Sequence, residues 1–335
     1  MKDSDMQPSF LRSMVLAALL IPALSVAPLR AESLPSWREG PAREEIIHFV
    51  TGVTQEDGPD YVPPSARIAV FDNDGTLWSE QPFYAQLAFA LDRIRILAAD
   101  HPEFRTELPW KFAVEGDLPG LFATGKPGIA QIIAASHAGM SSDSFDAIVR
   151  DWIGSARHPK TGRPYTEMTY QPMRELISYL KDNEFQVYIV SGGGAAFIRA
   201  WSNATYGIPP QQVIGTTLKL ELRGEGDAAR LIRTAALEFY DDGPGKVLGI
   251  ERQIGRRPIA AFGNSDGDIE MLDWVASGPG PRLAALLHHD DSEREYAYDR
   301  DSAFGHLSKG LDRAEAGRWL VISMARDWAR IHPGP

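Results

Sequence analysis

Asp72 and Asp74 stand one residue apart, directly after the apolar run Ile68-Ala69-Val70-Phe71 and directly before Gly75-Thr76. Acids at i and i+2 with a glycine behind them suit the end of a buried strand better than its continuation. In open α/β sheets, ligands bind beyond the carboxyl ends of the strands. Asp72 is therefore expected to act as a nucleophile and Asp74 as a proton donor and acceptor. The pair is also expected to help hold a divalent metal.

Three further apolar runs stop in polar or glycine-rich turns. Phe185–Val190 stops at Ser191-Gly192-Gly193-Gly194, and Pro258–Phe262 stops at Gly263-Asn264-Ser265-Asp266-Gly267-Asp268. Arg282–Leu287 stops at His288-His289-Asp290-Asp291, which reads as a polar loop rather than a second metal site. A parallel sheet would bring several of these ends to one edge. Lys246 follows the turn-rich Asp241-Asp242-Gly243-Pro244-Gly245 and opens a short helix.

The first three stops, together with Lys246, resemble the four motifs of the haloacid dehalogenase-like superfamily of phosphohydrolases. The resemblance covers roughly residues 67–290. It implies an α/β, Rossmann-like three-layer fold with a parallel sheet and an inserted helical cap. It further implies that Asp72 attacks phosphorus to form an aspartyl-phosphate, and that Asp74 protonates the leaving oxygen and then activates water. Ser191 and the backbone at Gly192 would hold phosphoryl oxygens, and Lys246 would neutralise charge on the nucleophile and phosphate. An Asp72 oxygen, the Asp74 carbonyl and residue 264 would bind Mg²⁺, a cation that prefers oxygen ligands. At residue 264 the chain departs from the pattern: the usual acid is Asn264. Asp266 or Asp268 would then supply the missing charge, directly or through water, with Asp268 orienting the inner sphere.

The elements that must position these groups follow from patterning. Pro82–Ala99 carries apolar residues at helical spacing, and two more helical stretches lie near 128–138 and 142–155, with no strand-like alternation between 82 and 160. The expected organisation is a core at 32–81 and 160–335, with a helical cap at 82–159. Helix 172–183, a strand at 213–219 and a polar hairpin or loop near 223–226 complete the middle of the core.

Composition bounds the function. The chain has 335 residues, 44% hydrophobic residues, a formal net charge of -11 and no cysteine. Disulfides and thiolate chemistry are excluded, and the acidic balance argues against a nucleic-acid footprint. At the N-terminus, Lys2 and Arg12 precede the apolar run 14–27, interrupted by Pro22. This reads as a signal peptide over 1–31, cleaved after Ala31. Export to the periplasm or medium, without stable membrane insertion, is expected.

The implied function is an exported, Mg²⁺-dependent phosphomonoester hydrolase acting on a small organic phosphate. A phosphotransferase of the same fold and a non-catalytic binding protein are the alternatives. Phosphoserine phosphatase, in the helical-cap branch, carries a glutamate for the substrate ammonium in the loop after the first motif. At that offset this chain has Gln81, beside Glu80. Phosphorylcholine phosphatase offers another comparison, since aromatic side chains hold quaternary ammonium groups. Trp78, Phe83, Tyr84, Trp110 and Phe122 are the aromatics available for such a role.

Overall fold

Strand β1, Ile68–Phe71, lies at the centre of an eight-stranded sheet. The others are β2 (Gln186–Gly194), β3 (Val213–Arg223), β4 (Arg230–Phe239), β5 (Ala260–Gly263), β6 (Leu283–Asp290), β7 (Ala297–Tyr298) and β8 (Leu320–Ser323). Their order is β4-β3-β2-β1-β5-β6-β7, with β8 also on β6. β1 pairs in parallel with β2 and β5, β2 with β3, and β6 with β5 and β8; only the β3–β4 and β6–β7 pairs are antiparallel. The computed structural model describes residues 34–316 and 319–334. The expected signal segment lies outside the described residues.

Helices cover both faces of the sheet because successive strand residues point to opposite sides. Ala69 and Phe71 join a core with helix α1 (Pro41–Thr54), while Ile68 and Val70 face the other way. Between β1 and β2 the chain forms α2 (Ala85–Leu97), α3 (Trp110–Glu115), α4 (Leu118–Ala123), α5 (Gly125–His137) and α6 (Ser142–Ser155), with no strand among them. α2 is buried on two sides. Ala85 and Phe89 reach the core under the sheet, whereas Leu87, Leu91 and Ile94 join a separate apolar cluster with Ala113, Leu121 and Ile132.

Helix α7 (Gln171–Asp182) places Met173, Leu176, Ile177 and Leu180 in the α1-side core. The chain then runs through β2, α8 (Ala195–Arg199), α9 (Ser202–Tyr206) and the β3–β4 hairpin. On the opposite face lie α10 (Pro244–Ile254) and α11 (Ile269–Ala276), which bury Ile250, Met271, Leu272 and Val275 against Val70 and Ala261. Short helices α12 (Lys309–Glu315) and α13 (Met324–Asp327) flank β8.

Three differences from the patterning stand out. β2 continues through Gly194, with a register shift between Ser191 and Gly194. His288, His289 and Asp290 belong to β6 rather than to a loop. β4 has no counterpart in the sequence reading. Most of its residues are exposed, so it carries no strong apolar alternation, and it is held by its antiparallel pairing with β3. Among the described residues, no helix is long and apolar enough to cross a membrane.

Candidate active site

Four segments converge at the carboxyl end of β1. Asp72 leaves the strand with its N–H donating to the Phe262 carbonyl of β5 at 2.9 Å. The chain then turns sharply: the Asn73 carbonyl accepts from Leu77 N at 2.8 Å, and Gly75 N donates to the Trp78 carbonyl at 2.9 Å. Gly75 has φ +78°, a left-handed conformation that glycine adopts without penalty.

Lys246, on the first turn of α10, reaches across the sheet edge and is buried. Its ammonium donates to Asp72 Oδ1 at 2.6 Å, to Asp268 Oδ1 at 2.6 Å and to the Val190 carbonyl at 3.0 Å. All three donors of the lysine are therefore used. Burial alone would lower its pKa, but the Asp268 and Asp72 carboxylates outweigh that and hold it protonated. Burial pushes the Asp72 carboxyl well above the usual carboxylate range, against the pull of Lys246. Asp74 is also raised by burial, and the indole N–H of Trp78 opposes the shift from 2.9 Å.

The other oxygen of Asp268 fixes the loop after β5. It accepts from Asn264 N and Ser265 N, both at 3.0 Å. Asp268 thus ties the loop to Lys246. Asn264 is 1% exposed, and its amide is held at both ends. Thr76 Oγ1 donates to Oδ1 at 2.9 Å, and Nδ2 donates to Glu80 Oε1 at 2.7 Å.

Ser191 and Gly192 lie on β2 just past its pairing with β1. Ser191 Oγ accepts from Gly193 N at 3.0 Å. A Cβ on Gly193 would stand 3.2 Å from Ser191 Oγ, 3.3 Å from Gln86 Oε1 and 3.4 Å from Asp74 Oδ2. The bare backbone there opens the space that these three side chains share. Gln86, from the first turn of α2, also accepts from Gly194 N at 2.7 Å.

A family model for haloacid dehalogenase-like hydrolases matches residues 69–273. The chain belongs to this family. Among solved structures, a conserved, functionally unknown protein from Anaerococcus prevotii is 14% identical, with 84% of this chain and 91% of that chain covered and a TM-score of 0.54. A protein of unknown function from Bordetella pertussis is 19% identical, with 76% and 97% covered and a TM-score of 0.47. A phosphoserine phosphohydrolase-like protein from Francisella tularensis is 14% identical, with 75% and 98% covered and a TM-score of 0.36. The likeness to the first of these concerns the fold. No curated protein matches the chain.

In this haloacid dehalogenase-like hydrolase, Asp72, Asp74, Ser191, Gly192, Lys246, Asn264 and Asp268 all lie at one sheet edge. Asp266 does not join them: its carboxylate accepts from Ser308 N at 3.0 Å, Lys309 N at 3.2 Å and Gly310 N at 2.9 Å, at the start of α12. An acid there satisfies helix-terminal N–H groups. Gln81 also turns aside, donating to Ser302 Oγ at 3.1 Å and to the Phe304 carbonyl at 3.0 Å. Trp78 is fully buried, stacked on Trp201 with centroids 4.3 Å apart, so its ring offers no face to a ligand.

Sequence reasoning gave no role at this site to Glu80, Gln86, Tyr298 or His289. Glu80 had one signal: Asn264 leaves a charge unaccounted for, and an acid lay close to the first motif. His289 Nε2 donates to the Gly75 carbonyl at 2.7 Å, and its ring stacks on Tyr298 with centroids 4.4 Å apart. Nothing in the local sequence distinguishes it from His288.

The donor set suits a hard divalent cation. Asp72, Asp74, Asn264 and Glu80 would offer oxygen atoms to such an ion, and the buried Lys246 ammonium is paired with Asp72 and Asp268. Among the described residues no three Asp, Glu or His side chains close on a point as a ligand set. The fit is to a cation that takes carboxylate, amide and backbone oxygens and keeps several waters, as Mg²⁺ does.

Proposed function

We propose that this hydrolase cleaves a small phosphomonoester through an aspartyl-phosphate at Asp72, with Mg²⁺ as cofactor. The supporting observation is the placement of Asp72. It follows β1 with one oxygen on Lys246, which also holds the Val190 carbonyl, and Asp74 Oδ2 lies at the Gly193 backbone. With Oδ1 tied to the ammonium, the second oxygen is the nucleophile. Asp74, whose protonated form is favoured by burial, gives its proton to the leaving oxygen. The resulting carboxylate then takes a proton from water as that water attacks phosphorus, and the P–O bond to Asp72 breaks to release inorganic phosphate. Lys246 holds the nucleophile in place and offsets the charge of the phosphoryl group throughout. Ser191 and the Gly192–Gly193 backbone receive phosphoryl oxygens.

Asp72, the Asp74 carbonyl and Asn264 are the groups proposed to hold Mg²⁺. When bound, it supplies positive charge to the transferring phosphoryl group. Helices α2–α6 are proposed as the cap that closes on the leaving group and excludes bulk water, with Gln86 as their contact to the Gly194 backbone. Residues 1–31 are proposed as an export signal, removed to leave a periplasmic or secreted enzyme. Edman sequencing of the protein from a native periplasmic fraction tests that: a mature chain starting at Met1 overturns it.

The catalytic reading is tested by phosphate release from p-nitrophenyl phosphate and a panel of small phosphomonoesters, with and without Mg²⁺, alongside Asp72→Asn. Turnover that needs the metal and vanishes in Asp72→Asn is expected. Turnover unchanged in Asp72→Asn removes the nucleophile assignment, and no turnover on any substrate or metal removes the enzyme reading.

A further inference from the structure

Asn264 occupies the position where the family pattern carries an acid, and the fold sets a carboxylate directly against it. Glu80 Oε1 accepts from Asn264 Nδ2 at 2.7 Å and from the Tyr298 hydroxyl at 2.7 Å. Both donors converge on Oε1, which leaves Oε2 for another partner. Glu80 is 2% exposed. Burial pushes the Glu80 carboxyl well above the usual carboxylate range, so in its ionised form it needs compensating charge as well as hydrogen bonds, and an amide and a phenol bring no charge. Lys246 has already committed its donors to Asp72, Asp268 and the Val190 carbonyl.

Two loops are shaped around this carboxylate. Gly75 and Gly305 have φ +78° and +65°. A Cβ on either would collide with Glu80 Oε1, and one on Gly75 would also strike Asn264 Nδ2. Chain segments far apart in sequence thus leave out side chains where Glu80 and Asn264 meet. Gln81, at the offset expected for a substrate-ammonium ligand, is engaged elsewhere.

We propose that Glu80 supplies the negative charge that Asn264 lacks, acting through the Asn264 amide on a divalent cation held at Asp72 and Asn264. The charge enters from the loop after β1 instead of the loop after β5, and the Asn264 amide bridges the two. This inference rests on the divalent-cation reading given above.

The test uses the full chain with Mn²⁺ alone as the probe, by electron paramagnetic resonance titration without substrate. Glu80→Gln is expected to weaken Mn²⁺ binding by about 10–100-fold, the usual effect of losing an outer carboxylate partner of a metal site. Adding Asn264→Asp to Glu80→Gln is expected to restore most of that affinity, because the acid returns to its usual place. Wild-type binding with an unchanged Glu80→Gln overturns the role of Glu80 and leaves the cation reading intact. No Mn²⁺ or Mg²⁺ binding by the wild type overturns both. Loss in Glu80→Gln without recovery in the double variant overturns the charge replacement. So does a Glu80→Gln protein that keeps its Mn²⁺ affinity and fails only on amino-bearing phosphomonoesters.

Should Glu80→Gln not fold, Asn264→Asp alone decides the question. An added acid against the buried Glu80 carboxyl lowers the melting temperature without metal, and Mn²⁺ recovers it. A melting temperature that neither falls nor responds to Mn²⁺ overturns the proposal.

Discussion

Trp78 donates its indole N–H to Asp74 Oδ1 at 2.9 Å from a ring with no exposure to solvent. The bond favours ionised Asp74, while burial favours the protonated form. Trp78→Phe keeps most of the packing and removes the donor, so the Asp74 pKa rises further. Activation of water needs ionised Asp74, so the acidic limb of kcat against pH moves to higher pH. A hydrogen bond worth about 1 kcal/mol corresponds to a displacement of about 0.7 pH units. The pH profile with p-nitrophenyl phosphate checks this, and an unmoved limb separates Asp74 from that step.

Lys246 lies between two buried acids, at 2.6 Å from each. Lys246→Met leaves Asp72 and Asp268 without their counter-charge. Breaking a buried ion pair by removing one partner costs about 3–5 kcal/mol. Urea unfolding of Lys246→Met is expected to show a loss of this order, together with loss of turnover. Adding Asp72→Asn to Lys246→Met should recover part of the stability and none of the activity.

Asp241 gives the molecule a pH-dependent stability. It is fully buried, and neither carboxylate oxygen has a hydrogen-bond partner of good geometry. Burial pushes its pKa up to about 7, partly opposed by Lys246. An unfolded aspartate titrates near 3.9, so the folded chain binds the extra proton between these values. The contribution is fully present below about pH 4 and is lost as pH rises towards 7. Its full size is on the order of 2–4 kcal/mol. Asp241→Asn should flatten this part of the stability curve and raise stability at pH 8 relative to the wild type. Denaturant unfolding at pH 5 and pH 8 measures both effects.

Asp266→Ala separates structure from chemistry in the loop after β5. The substitution removes acceptors from the N–H groups of Ser308, Lys309 and Gly310. Loss of such a helix-terminal acceptor costs about 1 kcal/mol. Turnover and Mg²⁺ dependence should stay within about twofold of the wild type. A collapse of metal affinity in a folded Asp266→Ala would return this residue to the site.

Gly75→Ala tests the turn that follows the nucleophile. Its left-handed φ carries a penalty for alanine of about 1 kcal/mol, and the new methyl would collide with Asn264 and Glu80. Stability should fall by at least that amount, and Mn²⁺ binding should weaken even where the chain folds. A folded variant with unchanged affinity would show that the loop has room to spare.

Strand ends and local motifs were legible because they are encoded within a few residues. The run Ile68–Phe71 followed by Asp72 and Asp74, the stop at Ser191 and the turn at Gly263–Asp268 each announce a buried strand meeting a polar edge. The parallel sheet then brings their ends together, as anticipated. The exposed strand β4 left little trace, since a strand with few buried residues has no apolar pattern to read. The parts assigned to Asp266, Gln81 and Trp78 also depended on information that spacing does not carry.

The amino-acid sequence by itself determined the family, the sheet edge and the acids at the end of β1, because neighbouring residues in one strand and turn carry those features. Tertiary structure alone decided which acids share which partners. Asp72 meets Lys246 across 174 positions, and Glu80 meets Asn264 across 184. Such pairings depend on where separate loops cross and on which crossings lack a side chain, as at Gly75 and Gly305. A carboxylate's chemistry is set by the charges and donors within a few ångströms of it, and those neighbours come from chain segments that only folding brings together.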